Sequence, residues 1–362
     1  MACSAYLTLT ARLLVNVEAL NMAETVGNLA RHKRIPMVVP VEGEEGAALE
    51  LRMMPAISGQ SLAHGYQRVL ARRALAKGLP VCKLCEQGVF VKHASDEVLE
   101  RLRGLGDAGA TTLLQLVSDM KKVRRPSSEQ AARFVSSFEE GVVRSCVVED
   151  VGGFLYAGRL PVRRTSRVSF SYMIPSLQYV NAVGVEGVLH ARHDPVAVGE
   201  QMIYVVEVGA ALYTFSVLVD LCGIGVVERQ DGGETVLEDR VERVRVAVEA
   251  LGELVSGAAF GAKRSRILPH WEVESIAAAV VEGFRFQMPG GHHAGYIREA
   301  AERLSRASRL LGGSWRMAFY IREYPVGRLT EEPSVEGVAQ AKSPEEVFEK
   351  LVEWSVEAVT RG

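Results

Sequence analysis

Between Leu7 and Glu18 the chain alternates almost without fault. Leu7, Leu9, Ala11, Leu13, Val15 and Val17 are apolar, Thr8, Thr10, Arg12, Asn16 and Glu18 are polar, and Leu14 is the exception. Side chains two apart share a face of a strand, so this stretch predicts a half-buried β-strand. It needs strands to pair with. Residues 202–221 form a long apolar run rich in β-branched residues, expected as one bent strand or a hairpin about Gly209, and residues 267–281 form another. Residues 208–227 are the one stretch apolar enough to suggest a membrane span, but Thr214, Ser216 and Asp220 and the β-branched composition predict buried strand instead.

Helical periodicity separates these strands. Ser58 and Ser61 offer capping oxygens ahead of a stripe of Leu62, Tyr66, Val69 and Leu70 that stops at Gly78 before Pro80. Leu237, Val241, Val244, Val248, Leu251 and Val255 mark a second amphipathic helix, closed by Gly257. The order strand, helix, strands, helix, strand predicts an α+β fold, a ferredoxin-like or RRM core with large inserted lobes. At 362 residues the chain divides into residues 1–80 as the first part of the core and 81–200 as an inserted lobe with helical pieces at 97–103 and 129–140. Residues 201–283 form the second part, and 284–362 a C-terminal α/β extension. That extension reads as a helix over 296–311, a strand around 317–321 and a closing helix with the capping box Ser343-Pro-Glu-Glu346. In the RRM version of such a sheet one open face binds single-stranded RNA.

A composition of 48% hydrophobic and 24% charged residues is that of a soluble globular protein. Arg12 and Glu18 interrupt any signal-peptide core, so a cytoplasmic protein with no membrane partner is expected. Five cysteines are an odd number without a framework, which predicts no disulfides. Cys82 and Cys85 form a lone CxxC with no second pair at zinc-finger spacing, so neither a metal site nor a cofactor is expected.

The formal net charge is only -2, yet Arg159, Arg163, Arg164 and Arg167 crowd into residues 152–172 behind Gly152, Gly153 and Pro161. As a strand from Val162, this stretch puts Arg163, Thr165, Arg167, Ser169 and Ser171 on one face and Val168, Phe170 and Tyr172 on the other. Guanidinium forks with hydroxyls between them suit phosphate oxygens, and equally well keep a solvated edge strand from aggregating. Two further basic clusters abut core strands: Arg31, His32, Lys33 and Arg34, and Lys263, Arg264 and Arg266 with Ser265. Lys121, Lys122, Arg124 and Arg125 read as a solvated face. The helix start at Ser58, Gly59 and Ser61 is itself suited to an anion.

Four motifs taken together resemble the DevR-type family of backbone subunits of archaeal type I-A CRISPR surveillance complexes, within the RAMP superfamily. They are Leu13-Leu-Val-Asn-Val-Glu-Ala-Leu-Asn21 with Glu24, Gly27, Asn28 and His32; Pro55-Ala-Ile-Ser-Gly-Gln-Ser-Leu-Ala-His64; Asp150-Val-Gly-Gly-Phe-Leu-Tyr-Ala-Gly158 with Pro161-Val-Arg-Arg-Thr-Ser-Arg167; and Gly261-Ala-Lys-Arg-Ser-Arg266. Residues after 283 resemble the family less. Family members often carry two adjacent glycines before the last basic run, where this chain has Gly261-Ala262.

The resemblance implies a non-catalytic scaffold in CRISPR antiviral defence, copies of which stack along the spacer part of the guide (CRISPR) RNA. Its partners would be guide RNA, target DNA through the guide, further copies of itself and other complex subunits. Carried over, the RNA groove would hold Asn21, Asn28, Arg31, His32, Lys33 and Arg34; Ser58, Gly59, Ser61 and His64; Arg163, Arg164, Thr165, Ser166 and Arg167, with Arg159 beside them; Lys263, Arg264, Ser265 and Arg266; and His190 in a His-x-Arg position. Scattered basic loops fit a protein that tracks phosphates and accepts any spacer. With only 7% aromatic residues, base stacking is not expected to dominate. The alternative within the superfamily is an endoribonuclease that processes guide RNA with His64, His190, His292 or His293; spacing assigns none of them a catalytic partner. A metal enzyme using Asp150, His190 and His193 ranks lower.

Overall fold

A computed structural model describes residues 3–43, 46–193, 201–229, 232–257, 260–322 and 331–361, the last without 334 and 336. The chain opens with β1 (Ala5–Glu18) and two hairpins, β2 (Met22–Val26) with β3 (Leu29–His32) and β4 (Arg34–Gly43) with β5 (Gly46–Pro55). Helix α1 (Gly59–Ala76) follows, and then a helical lobe of α2 (Lys83–Glu86), α3 (Asp96–Gly104), α4 (Ala108–Lys122), α5 (Ser128–Ser145) and α6 (Val147–Gly152). Short strands β6 (Phe154–Tyr156), β7 (Val162–Arg164), β8 (Val168–Phe170) and β9 (Ile174–Pro175) lead to β10 (Gly184–His193), β11 (Gln201–Asp220), β12 (Val226–Glu228) and β13 (Glu234–Val236). The chain closes with α7 (Arg240–Gly257), β14 (His270–Glu282), α8 (Tyr296–Leu311), β15 (Ser314–Ile321), β16 (Val338–Gln340) and α9 (Pro344–Arg361).

β1 lies between β14 and β11, antiparallel to both. Beyond β11 the next position is shared, β10 pairing its first half and β8 its last residues. With α1 after β1 and α7 between β11 and β14, this is the strand order of a ferredoxin-like core, widened by β15 and β16 on the β14 side. The apolar run 202–221 is one strand: Gly209 pairs with Glu18 on one side and Val185 on the other. The apolar face of β1 (Leu7, Leu9, Ala11, Leu13, Val15) packs with Leu62, Tyr66 and Leu70 of α1, Val248 and Leu251 of α7 and Leu351 of α9. Tyr66 locks the first two helices together by donating its hydroxyl to the Ala247 carbonyl at 3.1 Å. Among the described residues no helix is long and apolar enough to cross a membrane.

The other face departs from the half-buried, open sheet expected. Thr8, Thr10 and Arg12 are as buried as the leucines, at 0% exposure. Residues 284–293 and α8 cover them: the Met288 N–H donates to Thr8 Oγ1 and the Gly291 N–H to Thr214 Oγ1, while Phe284, Phe286, Met288, Tyr296 and Ile297 pack on Ala277, Ala279 and Val281 of β14. Arg12 donates to the His293 carbonyl and to Gln178 Oε1, with its guanidinium 6.0 Å from the Tyr296 ring centre. Strict alternation says only that one face is polar; here polar protein groups, not water, meet it.

Two further expectations change. Cys3 and Cys222 are joined as a disulfide across a separation of 219 residues. The β1–β11 register pairs Tyr6 with Asp220, which brings the segments beyond both strand ends side by side, something cysteine counting could not reveal. The Arg-rich stretch is not one strand but three short ones, β6, β7 and β8, and Tyr172, assigned to the burying face, is 41% exposed. Asp194 and Pro195, a pair whose residue types predict a turn, lie outside the described residues.

A Cβ at position 291 would sit 2.7 Å from both Arg12 Cγ and Thr214 Oγ1. Gly291→Ala is therefore expected to destabilise the fold by about 1–3 kcal/mol, read as a lowered midpoint of denaturant unfolding with unchanged slope. A neutral effect would show that residues 284–293 do not seal the sheet.

Candidate nucleic-acid interface

The last residues of β1 set the geometry of one end of the sheet. The ladder to β11 shifts register between Val15 and Glu18, and Val17 takes a positive φ of 55°. This irregularity turns the Glu18 side chain inward. Its carboxylate accepts from the Leu20 N–H (2.8 Å) and the Tyr213 hydroxyl (2.8 Å), and pairs with His32 Nε2 at 2.5 Å. The chain that leaves this hub becomes a junction. Asn21 Oδ1 accepts from the Ser58 N–H, the Asn21 carbonyl from the Lys33 N–H, and the Leu20 carbonyl from the Ala262 N–H. Gly261, at φ 98°, is required there, since a Cβ would lie 2.6 Å from Leu20 Cδ2. The single glycine of the Gly261-Ala262 pair thus secures the close approach, and Ala262 is exposed.

Three sequence motifs far apart in the chain are in this way tied to two residues, and clefts open between them. One, of about 300 Å³, is lined by Asn21, Ser61, His64, Arg68, Gly261 and Arg264. A second, of about 480 Å³, lies across the 263–266 turn and is lined by His190, Tyr204, Lys263, Ser265 and Arg266. A third, of about 460 Å³, runs along the other side of the α1 start and includes Gly59, Gln60, Lys92, Ser166 and Tyr172. Lys263 holds φ 58°, and its carbonyl accepts from the Arg266 and Ile267 amides, which makes a tight basic turn. Arg266 donates to the Tyr204 hydroxyl at 3.0 Å, and the His190 ring stacks on Tyr204 at 5.2 Å between centres.

The remaining expected residues divide into free and engaged. Ser58 caps α1, its Oγ accepting from the Ser61 N–H, and Gly59 is needed for packing because a Cβ would meet the Phe170 carbonyl at 2.7 Å. Arg31 is exposed and paired with Glu24, Arg34 pairs with Glu207 at 3.1 Å, and the Lys33 ammonium sits 5.9 Å from the Tyr172 ring centre. Asn28 is exposed, with Nδ2 donating to the Ile203 carbonyl. His32, expected in the groove, is buried against Glu18.

The Arg-rich stretch is mostly occupied by its own protein. Arg164 is buried between Asp150 and Glu139, Arg167 pairs with Asp220 at 3.1 Å, and Arg159 donates to the carbonyls of Met120, Lys121, Val123 and Arg124 at the end of α4. Those bonds remove the reading in which the stretch is one phosphate rail. Arg163 and Thr165 are exposed but line none of the three clefts. Ser166 is exposed, its hydroxyl donating to the Val168 carbonyl.

Arg68, Tyr204 and Lys92 escaped notice in the sequence. Arg68 was within reach, since Ser61, His64 and Arg68 are spaced to share a helix face. Tyr204 was not: its place opposite His190 depends on the β10–β11 register.

Among the described residues no acid–base pair forms around His64, whose exposed ring meets Phe90 edge-on at 5.1 Å and whose pKa is lowered by partial burial and by Arg68. His292 accepts from the Leu177 N–H and is likewise lowered by burial; His293 pairs with Glu299 outside the clefts. Asp150 is engaged with Arg164 and Arg243, not with His190, and the His193 side chain lies outside the described residues. Among the described residues one group of metal-ligating side chains comes together, Cys82, Cys85, Cys146 and Glu149, at the base of the helical lobe.

Comparison with known proteins bears on the chain as a whole. The sequence profile of the family described as CRISPR-associated negative auto-regulator DevR/Csa2 matches residues 9–301. The chain is 36% identical over 351 residues to a protein of Saccharolobus solfataricus named CRISPR-associated aCascade subunit Cas7/Csa2 2, covering 94% of this chain and 98% of that one. A second protein of the same organism, CRISPR-associated protein Cas7/Csa2 1, is 30% identical over 285 residues, 76% of this chain and 79% of that one. Among solved structures, a chain of a "CRISPR RNA-guided surveillance complex, pre-nicking" superposes with a TM-score of 0.54 at 13% identity, covering 98% of this chain and all of that one, which shows a shared fold.

The Glu18–His32 pair gives the interface a pH signature. Burial opposes the charge on both groups, but their mutual bond outweighs it, lowering Glu18 from 4.5 and raising His32 from 6.5. The depressed carboxylate stabilises above pH 4.5 and loses that contribution as pH falls through its folded pKa; the raised imidazole stabilises below pH 6.5 and loses it as pH rises through its own. The pair's contribution should therefore be full between pH 4.5 and 6.5 and decline on either side. Glu18→Gln should cost about 3–5 kcal/mol inside that window and flatten the pH dependence of thermal unfolding; an unaltered profile would remove the pair from the stability of this end of the sheet.

Proposed function

The chain belongs to the DevR/Csa2 family of CRISPR-associated proteins, and on that premise we propose that it is a non-catalytic subunit that binds guide RNA and assembles along it. The observation that carries the reading is the convergence of Asn21, Ser61, His64 and Arg264 on one cleft and of His190, Lys263, Ser265 and Arg266 on its neighbour, at a single end of the sheet. Cations, hydroxyls and a helix start fit phosphate oxygens, which carry no sequence information. The covered face of β1 and β14 supports the same reading: under residues 284–293 and α8 it offers bases no stacking platform, so contact with the backbone and with Tyr204 and Tyr172, which line the clefts, carries the affinity. Bases held by their backbone keep their pairing edges available to target DNA.

Self-assembly is supported by the β4–β5 hairpin. Its cross-strand pairs Pro36–Met53, Val38–Leu51 and Pro40–Leu49 share a face, and Val38, Leu49, Leu51 and Met53 are all more than half exposed. The opposite face packs through Met37, Val39 and Met54 on Val180. A hairpin fixed on one side and apolar on the other fits a second copy of the chain.

The purified protein is expected to retain single-stranded RNA of unrelated sequences at low salt. Lys263→Ala with Arg266→Ala should lower the slope of log affinity against log salt by up to about two, one for each lost phosphate contact, whereas Arg159→Ala should leave it unchanged. Val38→Glu with Leu51→Glu should abolish cooperative assembly on long RNA in sedimentation while sparing binding to a short oligonucleotide. A nucleic-acid-free protein that does not hold added RNA at low salt would overturn the proposal. Discrete cleavage products from unprocessed repeat RNA, with or without magnesium, would replace the scaffold by the processing enzyme.

A further inference from the structure

Cys82-Lys-Leu-Cys85 has a counterpart elsewhere in the chain, Cys146-Val-Val-Glu149. The first begins α2 and the second begins α6, and the Val147 N–H donates to the Pro80 carbonyl at 2.9 Å, which sets the two turns side by side. All four side chains are buried, and one donor atom from each lies within 4.8 Å of every other. We propose that Cys82, Cys85, Cys146 and Glu149 bind one zinc ion in a closed, four-coordinate site that fastens the base of the helical lobe.

Packing alone does not account for this group. Buried cysteines commonly serve as small apolar side chains, but a carboxylate with 0% exposure among three sulfurs is not an apolar arrangement. Glu149 Oε1 takes the His93 ring Nδ1 at 2.7 Å and faces Cys82 Sγ at 3.5 Å and Cys85 Sγ at 4.0 Å; its Oε2 accepts the His93 backbone N–H at 3.0 Å. Thiols are weak donors, so the side of the carboxylate turned to the sulfurs is poorly compensated. His93 is itself fully buried, with Nε2 lacking any partner among the described residues. His93 acts as a positioning residue: held through both its ring and its amide, Glu149 cannot rotate away from the thiols.

The donor set selects the metal class. Three thiolates and one carboxylate oxygen are too soft for magnesium or calcium and suit zinc, which prefers a tetrahedron with Zn–S near 2.3 Å and hence sulfurs about 3.8 Å apart. A contraction of about 1 Å from the present spread meets that geometry. On binding, the three thiols release their protons to water. No coordination position remains for a substrate or an activated water, so the site is structural. Its ligands come from just after α1 and just after α5, the two ends of the helical lobe, and so would fix the lobe against the helix whose first turn lines the clefts.

Full-length protein, reduced, incubated with zinc sulfate and desalted, is expected to keep about one zinc per chain, released only when a mercurial blocks the thiols. Cobalt(II) loaded instead should give sulfur-to-metal charge-transfer and tetrahedral ligand-field absorption, a readout on the wild-type chain that does not depend on a variant folding. Cys146→Ser should lose the metal. Glu149→Cys or Glu149→His, which supply a zinc donor, should keep it. His93→Ala should weaken retention by about 10- to 100-fold. Wild-type protein that retains no zinc and shows no cobalt charge-transfer band would overturn the proposal. So would non-reducing alkylation that finds two of these three cysteines joined to each other.

Discussion

Arg12 is a guanidinium in the middle of the central strand with no access to water. Burial works against its charge and lowers its pKa, and arginine stays protonated regardless, so the fold has to bring acceptors to it. They come from remote parts of the chain: the Gln178 amide, the His293 carbonyl, the face of Tyr296 and the Glu274 carboxylate, whose field acts on Arg12 from beside a register shift in β14. This requirement ties residues 284–301 to the sheet. A core that could have ended at β14 with an exposed face becomes three layers, with helices α1, α7 and α9 on one side and α8 with its preceding loop on the other.

Sealing that face moves recognition to the edge. What the sheet cannot do with its surface, the strand ends do with their connections, since β1 ends and β14 begins at the same place and α1 starts beside them. The junction at Leu20 and Asn21 explains how basic residues some 200 positions apart in the chain, His64 and Lys263, line adjoining clefts. It also explains why Glu18 is buried and ionised there. The carboxylate holds His32, Tyr213 and the Leu20 amide in place, and thereby the path of the chain toward the cleft.

Much of this was legible in the amino-acid order. Period-two alternation located β1, helical spacing located α1, α7, α8 and α9, and their order implied the ferredoxin-like core. The capping serine at Ser58 and the basic turn at Lys263 were visible because both are local signals. What could not be read was anything that depends on a partner far along the chain. Charge density in residues 152–172 suggested a binding strand, but whether an arginine faces solvent or a buried aspartate depends on tertiary placement, and Asp150 and Glu139 take Arg164. Alternation in β1 could not distinguish water from a polar lid. Cysteine arithmetic missed the Cys3–Cys222 bond, because strand register and not spacing sets the neighbour of Cys222, and a search for paired CxxC motifs passes over a turn that has Cys146 and Glu149 in place of two cysteines.

The β1–β11 ladder is fastened differently at its two ends. Cys3 and Cys222 sew one end covalently, whereas the other is held by the Glu18–His32 pair and by Gly209 fitting against the carboxylate. Mechanically the pair of strands is a strip clamped at one edge, and thermal fraying starts from the edge that is not clamped. That free edge carries the clefts. Compliance is thus concentrated where a long polymer would have to be accommodated, and stiffness where the chain begins.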